Sequence, residues 1–285
     1  MKKLCAIILI LLVAPSAWAG WYYTHVETGG ASIWGGQANG AADAYCLMAY
    51  RMNSDGSETD RSGNSNTLTG EGTVVLGTTS RFEPGDGTDR TWSQSERLII
   101  VDGSIVAINS AIASLSGDIS FSIYFSFKLG TAGSADEWIF TKYLTTGDQR
   151  QIRVLFDTIG TGALQFNMTA NGIYDASSTA SSTTTRATLA DSAYHTAVCV
   201  HDAVNDQNLI YIDGSTDGSP TSWAGSIYNS TAAVIIGDDD SSSDFTLRGN
   251  ISECAVWSGK ALTSDEVADL ETNGLFGDQE GDDDL

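Results

Sequence analysis

Basic residues are scarce in this chain. Lys and Arg together number 14, against 36 Asp and Glu, and the formal net charge at pH 7 is −22. A surface of this sign repels nucleic acids and anionic membranes, so we expect no nucleic-acid partner. It suits a protein that stays soluble in salt, or one that binds cations through its many loop aspartates.

The chain also lacks an apolar run long enough to anchor it in a membrane. Two lysines precede an apolar run at 4–13, and residues 17–19 (Ala-Trp-Ala) form a small-x-small cleavage site before Gly20. The run is too short to span a bilayer and is typical of a secretory signal peptide. We expect residues 1–19 to be removed and the mature protein to be extracellular or periplasmic, without a transmembrane anchor.

Few cysteines remain after that cleavage: Cys46, Cys199 and Cys254. Three residues are too few for a disulfide-based scaffold in a domain of this size. An oxidising compartment permits one disulfide and leaves one thiol over. Cys199 and Cys254 have apolar neighbours, so three buried, unpaired thiols are an equally good interpretation. The sequence does not choose between these alternatives or identify a pair.

Proline is scarce as well, with 3 residues against 30 glycines, and this balance indicates strands joined by tight turns. In Ile119–Phe127 every second residue is apolar, and such residues share one face of a strand. Strand-like runs recur along the chain, as expected for a sandwich or jelly roll. The clearest runs are Tyr45–Met52, Arg97–Val101, Ile119–Leu129, Trp138–Tyr143, Gln151–Phe156, Ala163–Met168, Tyr194–His201, Asn208–Ile212, Ala232–Ile236 and Phe245–Trp257.

Helical sequence is nearly absent. Thr263 and Glu266 have the spacing of a capping box, which predicts one short C-terminal helix that ends near Asn273-Gly274. Asp213-Gly214 predicts a tight hairpin turn. Ser177–Thr185 (SSTASSTTT) is predicted to be a low-complexity loop.

These patterns divide the chain into four parts. After the signal peptide, residues 20–43 are rich in glycine without a sustained period and are predicted to be an N-terminal arm or linker. Residues 44–274 are predicted to form one all-β domain of two antiparallel sheets with one short C-terminal helix. Residues 275–285 form an acidic tail that is predicted to be disordered.

Several motifs of this domain follow one another as they do in a known family. Asp60–Asn64 is a D-x-S-G-N turn, Ile236-Gly237 is an Ile-Gly turn, and residues 248–257 and 261–266 are similar to a closing strand and an A-L-S/T-x-x-E helix. Over residues 44–272 the chain therefore resembles the laminin-G-like jelly rolls of the concanavalin A-like lectin/glucanase superfamily. The resemblance implies a jelly-roll sandwich that acts as a binding module.

The resemblance extends to the pentraxins, which bind ligands through calcium. Residues 141–152 are similar to their first metal loop, and residues 237–244 are similar to their second. Calcium prefers several oxygen ligands, so the resemblance implies a calcium site where the two loops converge. Solvated acidic turns are the alternative interpretation. The residues implied as ligands are Asp148, Gln149, Asp238, Asp239 and Asp240.

Patterns for catalysis are lacking. Glycan-cleaving members of the superfamily carry paired carboxylates on one strand, so that both acids face one cleft. Glu253 stands alone on its predicted strand. His195 and His201 share a strand face but lie about 20 Å apart at ~3.3 Å per residue, too far to bind one metal ion. We therefore expect the protein not to be an enzyme.

Aromatic residues in loop-like sequence are candidate contacts for sugar rings. We select Trp223 and Tyr228, although packing beneath a loop is the alternative for Trp223. The sequence thus predicts a secreted, non-catalytic module that binds a glycan or a surface glycoconjugate, with calcium assisting. The alternatives are a glycoside hydrolase or polysaccharide lyase, which would release sugar products, and an envelope or particle adhesion protein that binds a protein partner.

Overall fold

The computed structural model describes residues 45–52, 60–62, 64, 66, 68–71, 75–76, 90–92, 97–100, 119–132, 134–174, 177–237 and 247–275. The predictions for residues 1–19 and 20–43, for Asp238, Asp239 and Asp240, and for the tail 275–285 beyond its first residue concern segments outside these ranges. Leu275, predicted to begin the tail, is buried against the first sheet instead. Within the ranges, no helix has the length and apolar character needed to cross a membrane.

The described chain is mostly β-strand, and each of the ten predicted runs overlaps an observed strand. The strands are, in chain order, β1 (Cys46–Arg51), β2 (Thr69–Glu71), β3 (Val75–Leu76), β4 (Arg90–Trp92), β5 (Arg97–Ile100), β6 (Phe121–Leu129), β7 (Glu137–Leu144), β8 (Gln149–Phe156), β9 (Ala163–Thr169), β10 (Ser177–Thr185), β11 (His195–Asp202), β12 (Gln207–Ile212), β13 (Ser215–Thr216), β14 (Thr221–Ser222), β15 (Val234–Ile236) and β16 (Gly249–Ser258). The helices are α1 (Arg186–Leu189) and α2 (Ser264–Asn273).

These strands form two antiparallel sheets. The first sheet has the order β13-β12-β11-β6-β16-β4-β3, and β1 and β14 pair additionally with β16 and β12. The second sheet has the order β10-β9-β8-β7-β15-β5-β2. Strands that are distant in sequence are therefore neighbours in each sheet, as in a jelly roll. The predicted all-β sandwich of two antiparallel sheets is confirmed.

The main core lies between the two sheets and follows from the alternation in β6. Phe121, Ile123, Phe125 and Phe127 point inward and are buried. Rings from the second sheet meet them at contact distance, since the centroids of Phe127 and Phe156 lie 5.8 Å apart. Burying a phenylalanine side chain of this kind contributes roughly 1.5–3 kcal/mol, so this face holds the sheets together.

A second apolar cluster covers the outer face of the first sheet. Val267 and Leu270 of α2 are buried there with Tyr124 and Trp257 of the sheet. The helix begins as its sequence predicts, because the Thr263 side chain accepts from the Glu266 N–H and the Glu266 side chain accepts from the Thr263 N–H. It ends at Gly274, which has a positive φ of 69°.

The predicted loop at Ser177–Thr185 is wrong, because this segment is strand β10. It pairs with β9 in a register that opposes Ala180 to Phe166. Ala180 and Ser178 face inward, and the Ser178 hydroxyl accepts from Asn208 Nδ2 of the first sheet at 3.0 Å. Small side chains let the two sheets approach here, so the strand carries none of the large apolar residues that would mark it in sequence.

The D-x-S-G-N turn has a structural role. The Asp60 carboxylate accepts hydrogen bonds from the N–H groups of Ala49, Ser62 and Asn66, at 2.9 to 3.1 Å. These bonds satisfy buried backbone donors and fasten the turn to β1.

The sandwich has two ends, which serve as landmarks for the site. At the Arg186 end, β6 finishes, β7 begins, and Arg186 joins the sheets. At the Gln149 end, β7 turns into β8, and the segment 223–233 crosses from β14 in the first sheet to β15 in the second.

Candidate functional site

The outer face of the second sheet carries an arginine surrounded by aromatic rings. Along β8, Ile152, Val154 and Phe156 point into the core, so Arg153 between them points outward. Its neighbour on β9 is Asn167, and Arg153 Nε donates to Asn167 Oδ1 at 2.6 Å. The strand register therefore fixes this arginine on the open face.

Three rings enclose the guanidinium group. Its Cζ atom lies 5.4 Å from the ring centroid of Trp138, 5.2 Å from that of Tyr143 and 4.7 Å from that of Tyr174. Trp138 and Tyr143 are buried and meet edge to face, whereas Tyr174 is 45% exposed. We call Trp138, Tyr143, Arg153, Asn167 and Tyr174 the arginine platform.

The turn that carries Tyr174 is tied to the β7–β8 hairpin. Arg150 Nη1 donates to Asp148 Oδ1 at 2.9 Å and to the Gly172 carbonyl at 3.3 Å. Gly172 has a φ of +80°, and a Cβ atom there would lie 1.9 Å from the Asp148 carbonyl oxygen. Only glycine fits this approach, so the backbone itself sets where the Tyr174 ring lies.

Asp148, Gln149 and Tyr228, which the sequence selected, lie together at the edge of this region. Gln149 Nε2 donates to the Tyr228 hydroxyl at 3.1 Å, and Gln149 Oε1 accepts from the Thr231 N–H at 2.9 Å. The Asp148 carboxylate is engaged by Arg150, as described above. These side chains thus serve contacts within the protein, which leaves Asp148 and Gln149 a poor fit for a calcium ion.

Asp238, Asp239 and Asp240 belong to a segment whose described flanks lie at the opposite end of β7. The Gly237 N–H donates to the Ile139 carbonyl, near the start of β7, and the Leu247 N–H donates to the Gly237 carbonyl. Asp148 follows the end of β7. Among the described residues, no group of three or more acidic, histidine or cysteine side chains could hold a metal ion.

Trp223 belongs to the same crossing segment as Tyr228 but makes different contacts. Its side chain is half-buried against the main core, and its backbone N–H donates to the Asp206 carbonyl at 2.8 Å. Gly225 packs directly beside the indole ring. These contacts are those of the packing alternative, and a contact of Trp223 with ligand stays a prediction.

The three described cysteines, Cys46, Cys199 and Cys254, are buried, and none of them forms a disulfide bond. Burial raises the pKa of the Cys199 thiol well above its usual range, and it also raises the pKa of Cys254. Buried, protonated thiols are inert, so these residues act as small apolar core residues.

A polar cleft of about 330 Å³ opens at the Arg186 end. His195 lies in it between two carboxylates, with Nδ1 2.8 Å from Asp213 Oδ2 and Nε2 3.1 Å from Asp191 Oδ1. Burial lowers the pKa of His195, but the hydrogen bonds and charges of Asp213 and Asp191 outweigh it and raise the pKa overall. Backbone and His195 hydrogen bonds lower the pKa of Asp191.

Sequence reasoning missed the arginine platform. The available signal was Arg153 itself, a single arginine on the outward face of a strand whose other face is apolar. Its rings come from β7 and from a turn after β9, so no local spacing joins them.

Several solved structures have a fold similar to that of this chain. The receptor-binding domain of botulinum neurotoxin C/D mosaic serotype matches with a TM-score of 0.60 at 13% identity, over 80% of this chain and 51% of that domain. A structure of botulinum neurotoxin type C, a toxin whose cell entry depends on interaction with two ganglioside molecules, matches with a TM-score of 0.57 at 14% identity over the same shares. This chain therefore spans about half the length of these toxin domains.

A third solved structure is matched over nearly its whole length. Domain 4 of AbnA, a GH43 extracellular arabinanase from Geobacillus stearothermophilus, in complex with arabinotriose, has a TM-score of 0.54 at 16% identity. The match covers 79% of this chain and 98% of that domain. At these identities the likeness establishes the fold.

No protein of curated function matches the sequence. The sequence does match the Laminin_G_3 family, described as the concanavalin A-like lectin/glucanases superfamily, over residues 102–268. That range is more than half of the 285 residues. It includes β6 to β16 and the start of α2, which form most of both sheets. The jelly-roll topology and this match agree, and the chain belongs to the Laminin_G_3 family of the concanavalin A-like superfamily.

Proposed function

We propose that this protein is a non-catalytic carbohydrate-binding domain that holds its glycan on the arginine platform. The observation that carries the proposal is Arg153, a cation held among three aromatic rings on an outward sheet face. Sugar-binding sites combine ring faces with a few fixed polar groups, because each sugar presents apolar C–H faces and hydroxyls.

The partly exposed ring is the first element of this site. Tyr174 is 45% exposed, whereas the other two rings of the platform are buried. Its free face is available for stacking, and its hydroxyl can exchange hydrogen bonds with a sugar. Asn167 on the same face is buried and bonded to both Arg153 and Thr179, so it orients the guanidinium group, which is the polar group beside Tyr174.

The known proteins of similar fold support the carbohydrate class. Domain 4 of the arabinanase is in complex with arabinotriose, and cell entry of the type C neurotoxin depends on gangliosides. Both structures have the same kind of sandwich as this chain.

A glycan array with purified protein tests the proposal. We expect binding to at least one glycan class, reduced at least about tenfold by Tyr174→Ala, as expected for loss of a stacking ring worth about 1.4 kcal/mol. Tyr45→Ala is the matched control, because Tyr45 is a tyrosine of similar exposure (53%) on the first sheet. Absence of binding to any glycan, or equal loss in the two variants, would refute the assignment.

An enzyme is the competing class, and the polar cleft at the Arg186 end is where it would act. A glycoside hydrolase needs a carboxyl group whose pKa is raised so that it can donate a proton. The pKa values of Asp191 and Asp217 in this cleft are lowered instead, for Asp217 because hydrogen bonds from Thr183 and Thr184 outweigh the effect of burial. Incubation with polysaccharides and analysis for reducing ends tests for product release, which we expect to be absent.

Calcium and secretion are parts of the proposal with tests of their own. We propose that calcium, if it assists, is bound through Asp238, Asp239 and Asp240, because Asp148 and Gln149 are engaged elsewhere. Calorimetric titration compares the wild type with the triple Asp→Asn variant. For secretion, N-terminal sequencing of the exported protein should begin at Gly20.

A further inference from the structure

Most of the hydrogen-bonding capacity of Arg153 is unused by the protein. A guanidinium group has five N–H donors, of which Arg153 uses the one on Nε, with Asn167. In the described part of the chain, Arg153 Nη1 and Nη2 form no hydrogen bond, and no carboxylate forms an ion pair with this side chain. A half-buried cation therefore faces the surface with four donors open.

Other arginines of the second sheet and its borders differ in this respect. Arg186 donates through all three nitrogens, to Glu137 and to two carbonyl groups. Arg150 is paired with Asp148 at 2.9 Å. The chain has 36 acidic and 14 basic residues, so the absence of a carboxylate partner for Arg153 among the described residues is a specific feature of the platform.

The open donors are also held in a fixed direction. The rings of Tyr143 and Tyr174 lie 5.2 and 4.7 Å from Cζ, and the Nε hydrogen bond fixes the plane of the group. Holding the side chain in advance reduces the entropy lost when a ligand binds. A planar fork with parallel N–H donors matches the two oxygens of a carboxylate.

We infer, on the basis of the proposed function, that the sugar held at the arginine platform carries a carboxylate that pairs with the terminal nitrogens of Arg153. The ligand is then an acidic glycan whose end residue is a hexuronic acid or a sialic acid. The carboxylate occupies the guanidinium fork, and the ring or side chain of the sugar lies against Tyr174.

The charge of the chain limits how acidic this ligand is. A net charge of −22 repels polyanions at long range, whereas one carboxylate at a local cation gains a charge-assisted pair. A glycan with a single carboxylate at its end therefore fits better than a sulfated or poly-uronic chain.

Matched pairs of glycans test this inference at constant ionic strength. The pairs are sialyllactose with lactose, and a glucuronic acid-terminated oligosaccharide with its glucose-terminated counterpart; heparin is the polyanion. Calorimetry should show one acidic member bound at least about tenfold more tightly than its neutral counterpart, as a charged hydrogen-bond pair of about 1.5–3 kcal/mol predicts. Whichever pair shows the difference identifies the source of the carboxylate.

Three variants assign the effect to Arg153. Arg153→Gln should abolish the acidic preference, and Arg153→Lys should recover only part of it, because lysine keeps the charge without the fork. Lys128→Gln is the control, since it removes a cation of β6, in the first sheet, whose Nζ lies 4.7 Å from the centroid of the Tyr194 ring. Thermal unfolding checks that each variant is folded.

The outcomes separate this inference from the function on which it rests. Equal binding of the acidic and neutral members, with both lost in Tyr174→Ala, would overturn the carboxylate and leave the glycan site in place. Absence of binding to every glycan would overturn both. A preference that survives Arg153→Gln, or heparin binding as tight as that of the single acids, would also overturn the inference.

Discussion

Arg186 and Arg153 both contact the second sheet, but they differ in how many of their donors are bonded within the protein. Arg186 is almost fully buried and is paired with buried Glu137 at 2.8 Å, with its remaining donors on the Gly130 and Arg248 carbonyls. Arg153 is half-buried against rings and uses one donor. A satisfied arginine joins the two sheets, whereas an unsatisfied one is available to a ligand. The difference shows how residue type alone leaves the role undecided.

The largest expected effect comes from Arg186→Ala. This variant leaves Glu137 buried without its cationic partner, and breaking a buried pair in this way costs about 3–5 kcal/mol in the free energy of unfolding. Chemical denaturation followed by tryptophan fluorescence measures the loss. Arg153→Ala is the matched control and should cost less, about 1–2 kcal/mol, since it removes one hydrogen bond and the ring contacts but leaves no buried charge. Equal losses of stability in the two variants would contradict the difference in role between Arg186 and Arg153.

Gly172→Ala should have the next largest effect. The added methyl group would lie 1.9 Å from the Asp148 carbonyl oxygen, so the turn must move and carry Tyr174 with it. We expect a loss of about 2–3 kcal/mol in stability together with weaker glycan binding. Gly147→Ala is the control, because Gly147 also has a positive φ (+72°) but no atom lies within 4 Å of the place that its methyl group would take. Wild-type binding by Gly172→Ala would show that the turn does not hold the site.

Asn167→Asp should give Arg153 a carboxylate partner within the protein. The new carboxylate would stand 2.6 Å from Arg153 Nε and compete with an acidic ligand. Asn167 is buried (1% exposed) and the change removes its hydrogen bond to Thr179, so stability should fall by about 1–3 kcal/mol, while calorimetry on the folded variant shows weaker binding of the acidic glycan. Asn171→Asp adds the same charge on the neighbouring turn, where Asn171 Oδ1 accepts from the Ile173 N–H. If both variants bind alike, a general charge effect explains the result.

The smallest effect concerns pH, and we expect it at the Arg186 end. The pKa of His195 is raised in the folded protein, so its stabilising contribution is complete below the unfolded pKa of about 6.5 and is lost as pH rises through the folded pKa. Unfolding free energies of the wild type and His195→Gln should therefore differ more at pH 5 than at pH 9. The difference should stay below about 1 kcal/mol. A difference that grows with pH would contradict the assigned direction.

The fold could be predicted from the sequence where side chains alternate strongly. Phe121–Phe127 and the capping box at Thr263 carry local signals, and the structure confirms both. Ser177–Thr185 carries no such signal, because its inward residues are small and its strand pairing depends on β9. A strand that forms because it pairs with a neighbouring strand cannot be predicted from its own residues alone.

The site could be predicted only in part, for a related reason. The resemblance to the pentraxins selected Asp148 and Gln149, loop-like sequence selected Tyr228, and the structure places Gln149 beside Tyr228. The expected convergence with residues 238–240 stays a prediction, because these residues lie outside the described ranges; the described flank at Gly237 bonds to Ile139 near the start of β7. The Arg153–Tyr174 contact joins a strand to a turn through the register of β8 and β9, which a single sequence does not reveal.

The pairing of β1 with β16, and the packing of α2 beside them, have a consequence for how the molecule can be mounted. Tyr45 and Leu275, the outermost described residues, both belong to the first sheet side, where the Leu275 N–H donates to Glu253 of β16. A tether fused at either flank would thus attach the domain through the side of the first sheet. The arginine platform, on the outer face of the second sheet, would then point away from the tether. Several copies attached in this way to one support can bind a multivalent glycan surface at the same time, with an avidity well above the affinity of one copy.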